Sequence, residues 1–198
     1  YDHAEATLKS LNEVMALPVE REPEKRYLTR PVFHGDIRIK QVTFSYPEQP
    51  RPALENVNIT INSGEKVAII GRIGSGKSTL AKLLIRLYEP TSGSVLMDGF
   101  DINQLDPADL RHNVAYVAQD AKLYFGTMRD NITFGLNGIT DQQVVDAAEQ
   151  AGILELVNSH PLGFEMPVGE RGETLSGGQR SAIAMARVFL RKPRVLVM

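Results

Sequence analysis

The 198 residues carry 22 lysines and arginines against 24 aspartates and glutamates, a formal net charge of −2, with 42% apolar and 23% charged residues. That balance excludes a globally basic nucleic-acid binder and a polybasic membrane-surface protein, and it suits one soluble domain with a real core. The absence of cysteine excludes disulfides, thiol catalysis and cysteine-held zinc, and the four histidines include no H-x-x-x-H pair. No apolar run nears the roughly 18 residues of a spanning helix, and no secretory signal pattern opens the chain, so a soluble cytosolic α/β chain is expected. Residues 1–17 predict a short amphipathic helix, with Leu8, Leu11 and Met15 spaced by three and four and Pro18 as its stop. From 20 to 30 the chain is charged and punctuated by proline, as in a connector from an upstream domain; a frayed terminal helix is the other reading.

Ile37 and Ile39 alternate with polar residues before the phase slips to Val42, Phe44 and Tyr46, which predicts a strand with a bulge. Val57, Ile59 and Ile61 then alternate with Asn58, Thr60 and Asn62, giving an antiparallel β-layer ahead of the main domain. Val67-Ala68-Ile69-Ile70 is all apolar and predicts a strand buried on both faces. A glycine-rich turn follows, then a helix with Leu80, Leu83, Leu84 and Leu87 on one side. Val95-Leu96-Met97 predicts a strand, Asp106 caps a short helix from Pro107, and residues 114–117 form another buried strand. From about 120 to 175 the strand pattern stops. Thr140 and Gln143 make a capping box for a helix that Gly152 ends, and further helical turns surround residues 154–157. Ser176 opens a helix to about Leu190, and residues 194–198 read as a final buried strand.

Gly71-Arg72-Ile73-Gly74-Ser75-Gly76-Lys77-Ser78 fits G-x-x-x-x-G-K-[ST] between a predicted strand and a predicted helix. The glycines let successive backbone N–H groups curl around a phosphate, and the following helix points its positive end at the same anion. Lys77 can reach β- and γ-phosphates, and the Ser78 hydroxyl can ligate Mg²⁺. Leu175-Ser176-Gly177-Gly178-Gln179 is a second helix start with a capping box. Its two first-turn glycines cost roughly 1 kcal/mol each against alanine, which makes sense if a ligand or another backbone must approach there. An ordinary tight helix start is the plainer alternative.

A Walker A motif followed by L-S-G-G-Q about a hundred residues later resembles the nucleotide-binding domain of ATP-binding cassette (ABC) transporters. The resemblance covers residues 36–198 and implies an α/β P-loop NTPase core with an antiparallel β-subdomain and a helical subdomain at about 120–190. Residues 1–35 then correspond to a linker from the transmembrane domain. The implied ATP-binding residues are Tyr46, stacking on adenine, Gly71, Arg72, Ile73, Gly74, Ser75, Gly76, Lys77, Ser78 and Thr79. Ser176, Gly177, Gly178 and Gln179 are implied to cap the γ-phosphate held by a partner's Lys77 in a head-to-tail homodimer. Lys77, Gln119 and Ser176 take the catalytic positions, with Ser78 and Gln119 toward Mg²⁺. Glu170-Arg171-Gly172 resembles the segment of exporter ATPases that touches the membrane domain.

His160-Pro161-Leu162-Gly163-Phe164, followed by Pro167-Val168-Gly169-Glu170-Arg171-Gly172, narrows the resemblance to type I secretion ATPases. That implies export of an RTX-like toxin or adhesin from the cytoplasmic face of the bacterial inner membrane, with a periplasmic adaptor, an outer-membrane channel and a protein substrate, and no nucleic acid. Peptide and lipid exporters share most of these features. The chain stops at Met198, before the family's Walker B aspartate and glutamate and its switch histidine, so these 198 residues are expected to bind nucleotide but hydrolyse it poorly. Two further readings stand beside this one, a soluble ABC ATPase of DNA repair or translation and a non-catalytic nucleotide-binding module.

Overall fold

In the computed structural model, which describes residues 2–17, 19–118 and 121–198, the chain begins as helix α1 (Asp2–Met15), with Leu8, Leu11 and Met15 exposed. Pro18, the expected stop of that helix, lies outside the described residues. The stretch that reads as a connector is strapped onto the domain. Glu20 pairs with Arg111, Arg21 with Asp106, and Leu28 makes a parallel bridge to Leu105. The strap ends at a carboxylate. Asp98 accepts the backbone N–H groups of His34, Gly35 and Asp36 at 2.7, 2.9 and 3.0 Å, and Arg30 lies 3.5 Å from the same group.

The predicted β-layer forms as β1 (Ile37–Phe44) and β2 (Leu54–Ile61), joined by β3 (Ser92–Met97) and β4 (Phe100–Asp101) in the order β2-β1-β3-β4. All neighbours run antiparallel. The phase slip in the sequence is a real irregularity: the register shifts between Ile39 and Val42, where Gln41 takes a φ of 49°. The slip keeps Ile37, Ile39, Val42 and Phe44 all facing the core, each no more than 4% exposed. Helix α2 (Lys77–Leu84) closes that core with Leu80, Leu83 and Leu84. Burying one such side chain fully contributes about 1.5–3 kcal/mol. Leu87, expected on the same side, falls past the helix end and is exposed.

Residues 67–70 depart from expectation. They are not a strand, and Val67, Ile69 and Ile70 are exposed, Ile70 at 94%. A β-strand exists through its neighbours' N–H and C=O groups, and no described strand pairs with this run. The remaining strands, β5 (Val114–Tyr116) and β6 (Val195–Val197), pair in parallel with each other after helix α3 (Pro107–Asn113). Because β6 is flanked on one side, its residues are half-buried rather than buried, and Leu196 is 39% exposed. Asp106 caps α3 as expected, its carboxylate accepting the Ala108 N–H.

A second core lies in the helices α4 (Met128–Thr133), α5 (Asp141–Gln150), α6 (Leu154–Ser159) and α7 (Gly177–Arg191). Met128, Ile132, Val144 and Ile183 are its fully buried centre. Each of α4, α5 and α7 opens with a reciprocal capping box, on Thr127, Thr140 and Ser176. Arg187 of α7 fastens this lobe. Its Nε donates to the Asn131 carbonyl at 2.8 Å, and its guanidinium covers the stacked rings of Tyr124 and Phe134. Burial lowers the Arg187 pKa from its ordinary value, yet a guanidinium stays charged there. Among the described residues, no helix is long and apolar enough to cross a membrane.

Candidate functional site

The glycine-rich turn is built by β2 and α2. Gly74 and Gly76 take φ of 78° and 86°, the left-handed region, and Gly76 is the N-cap of α2. A Cβ on Gly76 would sit 2.5 Å from the Ala53 carbonyl oxygen and 2.6 Å from Leu54 Cδ2. The start of β2 therefore sets how tightly the turn can wind. Lys77 folds across the turn: its Nζ donates to the carbonyls of Gly71 and Arg72 at 2.9 and 2.8 Å and lies 3.4 Å from Ser75 Oγ. The ammonium thus already lies over the concave backbone where the motif expects an anion. Arg72, Ile73 and Ser78 are exposed at the rim.

This geometry fits a triphosphate. The turn has positive-φ glycines, a helix N-terminus with no side-chain cap on its N–H groups, and one lysine able to exchange carbonyl partners for phosphate oxygens. For Mg²⁺ the described protein offers the exposed Ser78 hydroxyl; Gln119 lies outside the described residues. No group of three or more histidine or acidic side chains among the described residues could hold a metal.

Thr79, the last residue of the motif stretch, is 6% exposed, and its hydroxyl meets the Tyr46 hydroxyl at 3.0 Å. Tyr46 packs edge-on against Phe44 and Tyr88, with ring centroids 4.9 and 5.2 Å away. The stretch from Gly71 to Thr79 and the Tyr46 ring are thereby brought together on the first core.

The Leu175–Gln179 segment lies on the second core. Ser176 accepts the Gln179 N–H at 3.2 Å and donates its own N–H to Gln179 Oε1 at 2.8 Å, so Gln179 is engaged in the cap. Gly177 and Gly178 have room: the nearest atom to a Cβ on Gly177 is 3.8 Å away, and a Cβ on Gly178 would meet nothing within 4 Å. Packing among the described residues does not require glycine at either place. Glu170–Gly172 is a 3₁₀ turn in which Arg171 has a φ of 54° and is exposed.

Arg180 braces that turn, donating to the carbonyls of Leu175 and Gly172 at 2.6 and 3.4 Å. Sequence reasoning missed Arg180, although its place directly after the glutamine of the motif was the available signal. It also missed Tyr88 and the Asn131–Arg187 pair, whose partners are distant in sequence.

The ABC transporter family model matches residues 54–198. The Escherichia coli O157:H7 alpha-hemolysin translocation ATP-binding protein HlyB is 39% identical over 191 residues, 96% of this chain and 27% of that protein. The ATP-dependent lipid A-core flippase of Vibrio cholerae is likewise 39% identical, over 98% of this chain and 33% of the relative. Mouse ATP-binding cassette sub-family B member 10, mitochondrial, is 41% identical over 91% of this chain and 26% of its own length. A solved bacterial Atm1-family ABC exporter with ATP bound superposes with a TM-score of 0.89 at 32% identity, covering 98% of this chain and 34% of that one. The chain belongs to the ABC transporter family, and its fold is that of the ATPase domain of an ABC exporter. It spans between 13% and 33% of the length of such curated relatives.

Proposed function

We propose that the chain is the nucleotide-binding part of the ATP-hydrolysing domain of a bacterial type I secretion exporter, acting as a head-to-tail pair at the cytoplasmic face of the inner membrane. Residues 1–35 would then lead from the transmembrane domain, and 36–198 would form the nucleotide-binding domain with its helical lobe at 120–190. The observation that carries the paired arrangement is the open space at Gly177 and Gly178. Two helix-first-turn glycines cost roughly 1 kcal/mol each, and nothing among the described residues crowds them. A γ-phosphate held by a second copy's Lys77 supplies the missing close approach, with the N–H groups of α7 donating to it.

Within one copy, Lys77 releases the Gly71 and Arg72 carbonyls to bind β- and γ-phosphate oxygens, the glycine turn cradles them by its N–H groups, and Tyr46 stacks on adenine. Mg²⁺, when bound at Ser78 and Gln119, would draw negative charge from the phosphate oxygens. Pulling two copies together across ATP is a ligand-driven shift toward the closed pair, and Gln119 and the Glu170–Gly172 turn pass it to the membrane domain.

Secretion of a protein through a periplasmic adaptor and an outer-membrane channel is supported by the 160–172 motifs and by the likeness to HlyB. The equal likeness to a lipid flippase favours lipid export as the second reading. Lys77→Ala should abolish ATP binding in equilibrium dialysis. Ser176→Arg should leave binding by one copy intact but block ATP-driven dimers in sedimentation; dimers that persist would remove the trans role of Ser176.

A further inference from the structure

Outside the phosphate turn, the part of the nucleotide site with the most defined packing is the aromatic group behind Tyr46. Its hydroxyl is tied to Thr79 at 3.0 Å, which anchors one end of the ring to α2. Phe44 meets the ring at an interplanar angle of 81° and Tyr88 at 85°, two edge contacts on one side chain. Phe44 and Tyr88 also touch each other, with centroids 5.4 Å apart, so the three rings brace mutually. The Lys82 ammonium lies 5.8 Å from the Tyr46 centroid and 5.9 Å from that of Tyr88. Phe44 belongs to the buried core, at 4% exposure. Tyr88, by contrast, is 36% exposed on the turn after α2 and has no comparable duty.

The turn that presents Tyr88 is itself fixed. Arg86, two residues earlier, has a φ of 53° and is 6% exposed, and its guanidinium donates to the Leu105 carbonyl at 3.1 Å. A buried arginine in the left-handed region holds the following residues in one path. The result is a side chain on a pinned turn, its ring nearly perpendicular to the ring that would stack on a base.

We propose that Tyr88 is a positioning residue that holds the Tyr46 ring in its base-stacking orientation. The inference rests on the nucleotide reading of the site. Tyr88 does not touch the nucleotide; it removes the rotational freedom that Tyr46 would otherwise lose on binding. Ordering one such side chain at the moment of binding weakens affinity by about three- to tenfold. That loss falls on ligands carrying a base and spares ligands held by the phosphate turn alone.

The test is titration calorimetry of the purified chain with ATP and with inorganic tripolyphosphate, which has no base to stack. Tyr88→Ala should weaken ATP binding by about three- to tenfold and leave tripolyphosphate binding within about twofold. Tyr88→Phe keeps the ring edge and should restore ATP binding. Tyr88→Leu, which fills much of the same space, should behave like alanine, with the melting temperature of each variant reporting on its folding. The proposal is overturned if Tyr88→Ala binds ATP normally, if both ligands weaken in parallel, or if Tyr88→Phe is as impaired as alanine. An unaltered chain that binds neither ligand overturns the nucleotide site itself, whereas the other adverse results remove only the role of Tyr88.

Discussion

At Gly76 an added methyl group meets two obstacles. The residue sits at φ 86°, and a Cβ there would press to 2.5 Å on the Ala53 carbonyl oxygen. Gly74 has a similar φ of 78° but open space around its Cβ position. Gly74→Ala should therefore cost only the left-handed strain, about 1–2 kcal/mol. Gly76→Ala adds a backbone collision and should cost about 1–3 kcal/mol more in urea unfolding, with nucleotide binding lost. Equal costs in the two variants would show that β2 does not set the winding of the turn. This part of the site was legible because its chemistry is local: eight consecutive residues specify the turn. The hydroxyl pair of Tyr46 and Thr79 was not, since 33 residues separate its members.

At the scale of elements, the capping chemistry separates what sequence discloses from what it hides. Thr140 with Gln143 and Ser176 with Gln179 are readable as S/T-x-x-Q and are reciprocal boxes in the structure. Thr127 with Asp130 forms the same box for α4, but an aspartate falls outside the usual E/Q pattern and it went unread. The Thr127 backbone N–H, and then its hydroxyl, hold the Asp130 carboxyl below its ordinary pKa. A carboxylate depressed in the folded state stabilises fully above its unfolded pKa and loses that contribution as pH falls through the folded one. Asp130→Asn should therefore flatten the acid limb of a stability-against-pH curve near and below pH 4, with little change in slope between pH 6 and 8. An unchanged acid limb, followed by circular dichroism, would remove Asp130 as the group responsible. The run at 67–70 shows the opposite limit: its apolar pattern is strand-like, but pattern cannot provide the paired neighbour that makes a strand.

At the scale of the whole molecule, the described residues form two cores, one under the β2-β1-β3-β4 sheet and one among α4, α5, α6 and α7. Lys77 opens α2, which packs on the first, and Ser176 caps α7, which packs on the second, so the two glycine-containing helix starts sit on separate cores. That division was legible from the point where the strand pattern gives way to helices near residue 120. The attachment of the strap was not, because Asp98 gathers N–H groups 62 to 64 residues away in sequence, while charge and proline made the stretch before it look like a connector.

The Asp98 clasp has a consequence for how a protease sees the chain. Between the Arg21–Asp106 pair and the Leu28–Leu105 bridge lie Lys25 and Arg26, both exposed, with Lys25 paired locally to Glu22 at 3.6 Å. Trypsin needs a segment that can leave the surface, and this short stretch can do so while Leu28 and Arg30 stay fastened. Brief digestion should thus cut first after Lys25 or Arg26 and spare Arg38, the next lysine or arginine not followed by proline. Asp98→Ala should open the clasp and bring cleavage at Arg38 forward, as read by mass spectrometry of the first fragments. Early cutting at Arg38 in the unaltered chain would mean that the carboxylate does not fasten the strap. With the clasp intact, α1 can be shaved away while the inner strand it leads into stays fastened between β2 and β3.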